Sequence, residues 1–322
     1  LPSSKSSPKS KSQSPKPAKI KKEKEDAVAK DAEETVKEEA SSESASEVDS
    51  DAEEKPAITA KARKIQQTLL QKNEKDAYPD WQPGTPVPYA ALCKTFSLIE
   101  LTTKRLIIME YCSRFLRQVM RLTPDDLLPT VLLMINKLAP DYAGIELGIG
   151  ESLIMKAIGE TTGRSLQVIK ADQKEIGDLG LVAVKSRSTQ PTMFKPKSLT
   201  VRGVHQGLMG IATVAGNGAQ GRKVDGIKKL LSSSDSHLKE KVDINKDKGG
   251  PSEAKYIIRF LEGKLRLGLA DRTVLVSLAQ AVVSHEAWVK GKIPTTSDLE
   301  NGESILKTVY RYVHDLFSVL QA

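Results

Sequence analysis

Lys223-Val224-Asp225-Gly226 matches a nucleophile pattern, Lys-x-Asp-Gly, in which a lysine amine attacks the α-phosphate of a nucleoside triphosphate. That chemistry needs the lysine at the end of a strand in a β-rich pocket. It also needs an arginine soon after the glycine, and further acids and lysines to hold metal and phosphates. Here Gly226 is followed by Ile227-Lys228-Lys229-Leu230-Leu231, and Val224, Ile227, Leu230 and Leu231 fall on one helical stripe. The residues therefore predict a surface lysine on a helix. The glycine run Gly216–Gly221 has no strand before it and no Gly-Lys-Ser/Thr order, so it reads as a connection between helices. Cys93 and Cys112 form no C-x-x-C pair, and His205, His237, His285 and His314 are far apart. Neither a zinc site nor a disulfide scaffold is expected. No catalytic or metal residue is assigned.

Binding chemistry is better represented. Gly263-Lys264-Leu265-Arg266-Leu267-Gly268-Leu269-Ala270-Asp271-Arg272-Thr273 follows one predicted helix and leads into the next. Its cations alternate with leucines, so Lys264 and Arg266 are expected on one side with Leu265 and Leu267 anchored on the other. Gly263 and Gly268 let a phosphate approach the main chain, and the helix start offers free N–H groups at a positive dipole end. The pattern suits a phosphate backbone held by amides and cations. It equally suits a structural turn with solvated cations. Thr102-Thr103-Lys104-Arg105 offers the same group types at another helix start, and also reads as an ordinary cap with surface charge. Gly148-Ile149-Gly150-Glu151-Ser152 is a third helix-start glycine site, disfavoured for phosphate by Glu151. Trp81 and Trp288 are aromatic enough to stack on bases, but lone tryptophans more often anchor packing.

The elements that must carry these residues are helical. Apolar spacing over Tyr89–Met120 predicts two helices, broken at Thr102-Thr103 with a threonine capping the second. Thr123-Pro124-Asp125-Asp126 predicts a capped start for Leu127–Leu138, stopped by Pro140. Glu151–Thr162 and Leu166–Ile176 end at Gly163 and Gly177. Val201–Val214, Lys223–Leu231, Ser252–Leu261, Asp271–Val283 and Ser304–Leu320 complete the series. Leu181–Val184 is the only strand-like run and is too isolated for a sheet. The expected class is all-α, without a fixed-period repeat. Ser232–Pro251 and Gly291–Gly302 are hydrophilic and are expected to loop out.

Charge divides the chain. Residues 1–76 hold 16 Lys+Arg and 16 Asp+Glu, so the remaining 33 cations and 25 anions, and the whole net +8, belong to residues 77–322. The first part has no aromatic residue before Tyr78 and reads as a disordered Lys/Ser/Glu/Pro-rich tail. Ser7-Pro8-Lys9 and Ser14-Pro15-Lys16 suit proline-directed kinases, and Ser46 and Ser50 suit acidophilic ones. The cluster Lys19, Lys21, Lys22 and Lys24 fits a nuclear localisation signal, or merely a soluble spacer. No apolar run approaches the roughly 18–20 residues that span a bilayer, so no membrane partner is expected. The second part, 77–322, is expected to be the helical domain, with an insert at about 232–251.

Three long strings give a more specific sign. They are Gly144-Ile145-Glu146-Leu147-Gly148-Ile149-Gly150-Glu151, Lys174-Glu175-Ile176-Gly177-Asp178-Leu179-Gly180-Leu181-Val182-Ala183, and Arg259-Phe260-Leu261-Glu262-Gly263-Lys264-Leu265-Arg266-Leu267-Gly268-Leu269-Ala270. Ala157–Arg164 and Ser186–Gln190 lie among them in matching order. From about Tyr78 to Val309 the chain resembles the N-terminal DNA-binding domain of eukaryotic ATP-dependent DNA ligases, most like the ligase I group. The resemblance implies an all-helical domain that binds the minor-groove face of nicked duplex DNA through sugar–phosphate contacts. It places those contacts at Gly263–Thr273, and near Arg105 with Thr103 and Lys104. Lys264 stands where the family commonly has arginine, which loses the planar fork but keeps a charge. The resemblance further implies a nuclear protein of DNA replication, repair and recombination. ATP and Mg²⁺ are implied for the full-length parent, and a sliding clamp is a possible parent partner. No cofactor is expected in this chain, which should be a monomer and inactive alone as an enzyme. The competing expectation is a helical protein-interaction scaffold whose basic face is incidental.

Overall fold

The computed structural model describes residues 76–145, 147, 149–187, 196–236 and 243–313, and these contain eleven α-helices and no strand. They are α1 (Tyr89–Glu100), α2 (Arg105–Leu122), α3 (Leu127–Met134), α4 (Glu151–Thr162), α5 (Leu166–Ile176), α6 (Leu179–Arg187), α7 (Val201–Thr213), α8 (Ala219–Ser233), α9 (Glu253–Leu261), α10 (Asp271–Val289) and α11 (Thr296–Val313). The all-α expectation holds. The tail with Ser7, Ser14, Ser46, Ser50 and the Lys19–Lys24 cluster lies outside the described residues, as do Gly148, Ser188–Gln190, His237 and His314.

The helices pair through the apolar stripes that the sequence carries. Long α2 packs on α10, where the Ser113 hydroxyl donates to Gln280 Oε1 at 3.2 Å. α4 packs on α8, α6 on α9, α7 on α8, and α10 on α11. One apolar core joins them, including Phe96, Leu116, Ile158, Val204, Ile227, Ile257 and Val274. Two contacts need glycine. A Cβ on Gly180 would sit 2.9 Å from the Lys255 carbonyl oxygen, and one on Gly226 would sit 2.6 Å from Ile211 Cγ1. Glycine at these points lets α6 approach α9, and α8 approach α7, more closely than a methyl group allows.

Several local expectations are corrected. The second helix is capped by Lys104; Thr102 Oγ1 instead accepts from the Lys104 amide at 3.2 Å. Thr123 caps nothing, because its hydroxyl accepts from Trp81 Nε1 at 2.9 Å and donates to the Thr85 carbonyl at 2.6 Å. The helix after it stops at Met134, ahead of Pro140. Asn136 takes φ 57°, and the Asn136 and Lys137 amides donate to the Leu133 and Leu132 carbonyls, a Schellman end. Leu181–Val184 lies within α6. α8 begins at Ala219, inside the glycine run, because Gly218 adopts φ 72° and supplies the start. α10 continues to Val289 and α11 begins at Thr296, so most of 291–302 is not loop. The flanks of 232–251 do not loop out. Ser234 is fully buried, and the Lys248 amine donates to the Glu100 carbonyl at 2.9 Å.

Candidate nucleic-acid interface

The stretch Gly263–Thr273 is built by the end of α9. Gly263 at φ 73° closes that helix, with its amide donating to the Phe260 carbonyl and the Lys264 amide donating to the Arg259 carbonyl, both at 3.0 Å. Burial then alternates. Leu265 and Leu267 are 8% and 6% exposed, whereas Lys264, Arg266 and Gly268 are exposed. Arg266 takes the left-handed φ of 57°, which costs a residue with a Cβ about 1–2 kcal/mol. Its two leucine neighbours, fixed in the core, hold it there. Gly268 turns the chain again at φ 63°, with nothing near the place a Cβ would occupy. Ala270 starts α10 without a side-chain cap, and Asp271 and Arg272 in the first turn are exposed. The first-turn amides of Asp271 and Arg272 thus point out of the helix end without intrahelical acceptors. Among the described residues Lys264, Arg266 and Arg272 have no ion-pair partner, while Asp271 lies 3.9 Å from the Lys137 amine.

Thr103 and Lys104 lie in the turn between α1 and α2 and Arg105 opens α2, with Thr103 and Arg105 exposed. What this turn and the loop share is a buried ion cluster beneath them that sequence reasoning missed. Glu100, at the end of α1, accepts from Lys255 Nζ at 2.9 Å, Arg259 Nη2 at 3.0 Å and the Tyr256 hydroxyl at 3.0 Å. Arg259 also donates to Asp178 Oδ2 from Nε at 3.1 Å and from Nη2 at 2.7 Å. Asp178 Oδ1 in turn accepts from the Gly180 amide at 2.8 Å, which caps α6. Burial alone would raise the Glu100 and Asp178 carboxyls. The hydrogen bonds and charge of Arg259, joined at Glu100 by Lys255 and at Asp178 by Arg266, hold both below their ordinary values. Burial lowers the Lys255 amine despite Glu100. Four charged side chains are thus buried together and paired with one another, with Arg259 Nη1 left without a hydrogen-bond partner.

The other candidates fare differently. Lys223 sits within α8, its amine donating to the Leu147 carbonyl at 3.3 Å, and exposed Asp225 pairs with Lys228 at 3.4 Å. Val224, Ile227, Leu230 and Leu231 are buried, as the helical stripe predicted. Gly150 starts α4 with no side-chain cap bond, and Glu151 follows it. Trp81 is a packing anchor. Trp288 is 59% exposed and stacks on His285. His205 donates to the Leu138 carbonyl at 2.8 Å, and burial lowers its pKa. Among the described residues no group of three His, Cys, Asp or Glu is placed to hold a metal ion, and no helix is long and apolar enough to cross a membrane. A nucleotide with magnesium does not fit Lys223 in this mid-helix setting.

Comparison with known proteins decides the family. The family described as "DNA ligase N terminus" matches residues 88–279. This chain belongs to that family. It is 48% identical over 222 residues to "DNA ligase 1" of Schizosaccharomyces pombe, covering 69% of this chain and 27% of the relative. To "DNA ligase 1" of Saccharomyces cerevisiae it is 44% identical over 218 residues, covering 67% and 26%. To that of Arabidopsis thaliana it is 39% identical over 246 residues, covering 75% and 29%. The chain therefore spans about a quarter of the length of these ligase relatives. The ligase match includes α1 to α9, the loop and the start of α10, so both candidate contacts lie within it.

Proposed function

We propose that this chain is the DNA-binding part of an ATP-dependent DNA ligase and holds nicked duplex DNA by its sugar–phosphate backbone. The reading rests on one observation: a loop in a ligase N-terminal domain that exposes Lys264, Arg266 and Arg272, anchored by Leu265 and Leu267 and opening onto an uncapped helix start. Cations and free amides on one short loop match the acceptors of a phosphate backbone and carry no base code. Thr103, Lys104 and Arg105 supply a second backbone contact. ATP and Mg²⁺ belong to the whole ligase in this proposal. So do replication, repair and recombination, a nuclear setting and a sliding-clamp partner.

The test is duplex affinity against salt. The chain should bind nicked duplex of any sequence with an affinity that falls steeply as salt rises. Lys264→Ala with Arg266→Ala should lower the log–log slope by about 2, at about 0.9 per lost phosphate contact. Lys223→Ala should leave it alone. A slope unmoved by the double substitution removes the loop from the interface. The scaffold reading draws on the exposed apolar residues at and just after the end of α10, where Trp288, Val289 and Ile293 are 59%, 66% and 68% exposed. Negligible affinity for nicked duplex at low salt would favour it.

A further inference from the structure

We infer that Arg259 is the positioning residue that sets the Gly263–Thr273 loop in register with the Thr103–Arg105 turn, so that both meet one DNA backbone at once. This rests on the proposed DNA-binding reading and adds a buried residue, 3% exposed. Three bonds make the argument. The Arg259 guanidinium donates to Glu100, three residues before Thr103. The same guanidinium donates to Asp178, the cap of α6. Its own carbonyl accepts from the Lys264 amide, the first cation of the loop. One residue therefore grips the end of α1, the start of α6 and the loop together. Arginine suits the task because its planar fork reaches two carboxylates in fixed geometry, which a lysine amine cannot do.

Lys255 supports the arrangement without performing it. It donates to Glu100 and to the Lys248 carbonyl, both at 2.9 Å, and so neutralises Glu100 from the other side. Gly180 keeps α6 close enough for Asp178 to reach, since a Cβ there would lie 3.0 Å from Arg259 Cγ. A register fixed by buried ionic bonds differs from one fixed by apolar packing, because a misaligned state leaves a charge buried and unpaired.

The experiment is Arg259→Lys in the full chain, which keeps the buried charge and loses the fork. Melting curves establish the folded fraction, and affinity for a nicked duplex is followed over a salt series. The expected result is a folded protein whose slope has fallen by about 2, matching Lys264→Ala with Arg266→Ala. Adding that double substitution to Arg259→Lys should then lower the slope no further. A merely structural Arg259 gives the opposite pattern: a lower melting temperature, an unchanged slope, and a full further fall when the loop cations are removed. That pattern overturns the inference. If Arg259→Lys does not fold, Glu100→Gln keeps the Arg259–Asp178 pair while weakening the hold of Arg259, and of Lys255, on the end of α1. Arg105→Ala should then cost no further slope in Glu100→Gln, against about 1 in the unaltered chain; an equal cost in both overturns the inference. A slope in the unaltered chain that ignores the loop cations overturns the contact reading itself, and the positioning role with it.

Discussion

Lys223–Gly226 and Gly263–Thr273 both set lysine beside glycine, yet the glycine serves a different need in each. At Gly226 the backbone is ordinary helix and the constraint is space, because Ile211 Cγ1 lies 2.6 Å from where a Cβ would be. At Gly263 and Gly268 there is open space and the constraint is the backbone, with φ of 73° and 63°. The first glycine brings two helices together, and Lys223 beside it is half-buried with its amine on the Leu147 carbonyl. The second pair turns the chain so that Lys264 and Arg266 stand off the core while two leucines enter it. The string that looks catalytic is a packing seam, and the string that looks like a turn displays the cations. The supports differ too. The α7–α8 seam is apolar, whereas the loop stands on the ion cluster of Glu100, Asp178, Lys255 and Arg259.

The largest effect should come from breaking that ionic support. Asp178→Ala leaves Arg259 short of a partner and uncaps α6, so denaturant unfolding should show a loss of about 3–5 kcal/mol. A loss below about 1 kcal/mol would mean the cluster is no firmer than the apolar seam.

The next effect lies where the two regions meet. α8 ends at Ser233; Asp235, just after it, accepts from the Glu253 amide at 2.6 Å, while Glu253 accepts from the Asp235 amide at 2.5 Å. Burial, then the charge of Asp235, pushes the Glu253 carboxyl up to about 8, although the bond from the Asp235 amide and the charge of Arg187 oppose this. Because the folded value lies above the unfolded one, this stability is fully present below about 4.5 and is lost as pH rises through about 8. Glu253→Gln should remove that loss. The difference between the two proteins should change by up to about 1.4 kcal/mol per pH unit inside the window. Parallel pH profiles would show that Glu253 ionises normally.

The glycines themselves give the smallest effects and the sharpest contrast. Gly226→Ala should cost about 1–3 kcal/mol by overpacking, and should cost less when Ile211→Ala is already present. Gly268→Ala should cost about 1–2 kcal/mol from its backbone alone, and Gly268→Asn less, since asparagine tolerates the left-handed region. Thermal melts of the four variants check this. Relief of Gly268→Ala by a neighbouring truncation would erase the distinction.

Much of the fold was legible where the signal is local. α4 and α5 begin and end where their stripes and their left-handed Gly163 and Gly177 place them, and the helix expected over Ser252–Leu261 forms as α9, with Ser252 as its cap. The boundaries that shifted were those where a polar residue found a distant partner. Thr123 turned from capping its own helix to bonding Trp81, 42 residues away. The exposed cations of the loop were also legible, because alternation with leucine is a local pattern. The left-handed Arg266 was not, since nothing in its type demands that backbone.

The sequence by itself determined an all-helical body with its positive charge in the second part, a lysine at 223 on a helix, and a basic loop between two helices. Periodicity and capping act over a few residues, so they can be read along the chain. The tertiary structure alone decided that Glu100 and Arg259, 159 residues apart, would share a buried ionic bond, and that Asp178, 81 residues from Arg259, would complete it. A charged residue within a predicted helix is read as exposed unless a partner is known. Its partner is set by which helices meet, and that follows from close packing among all of them.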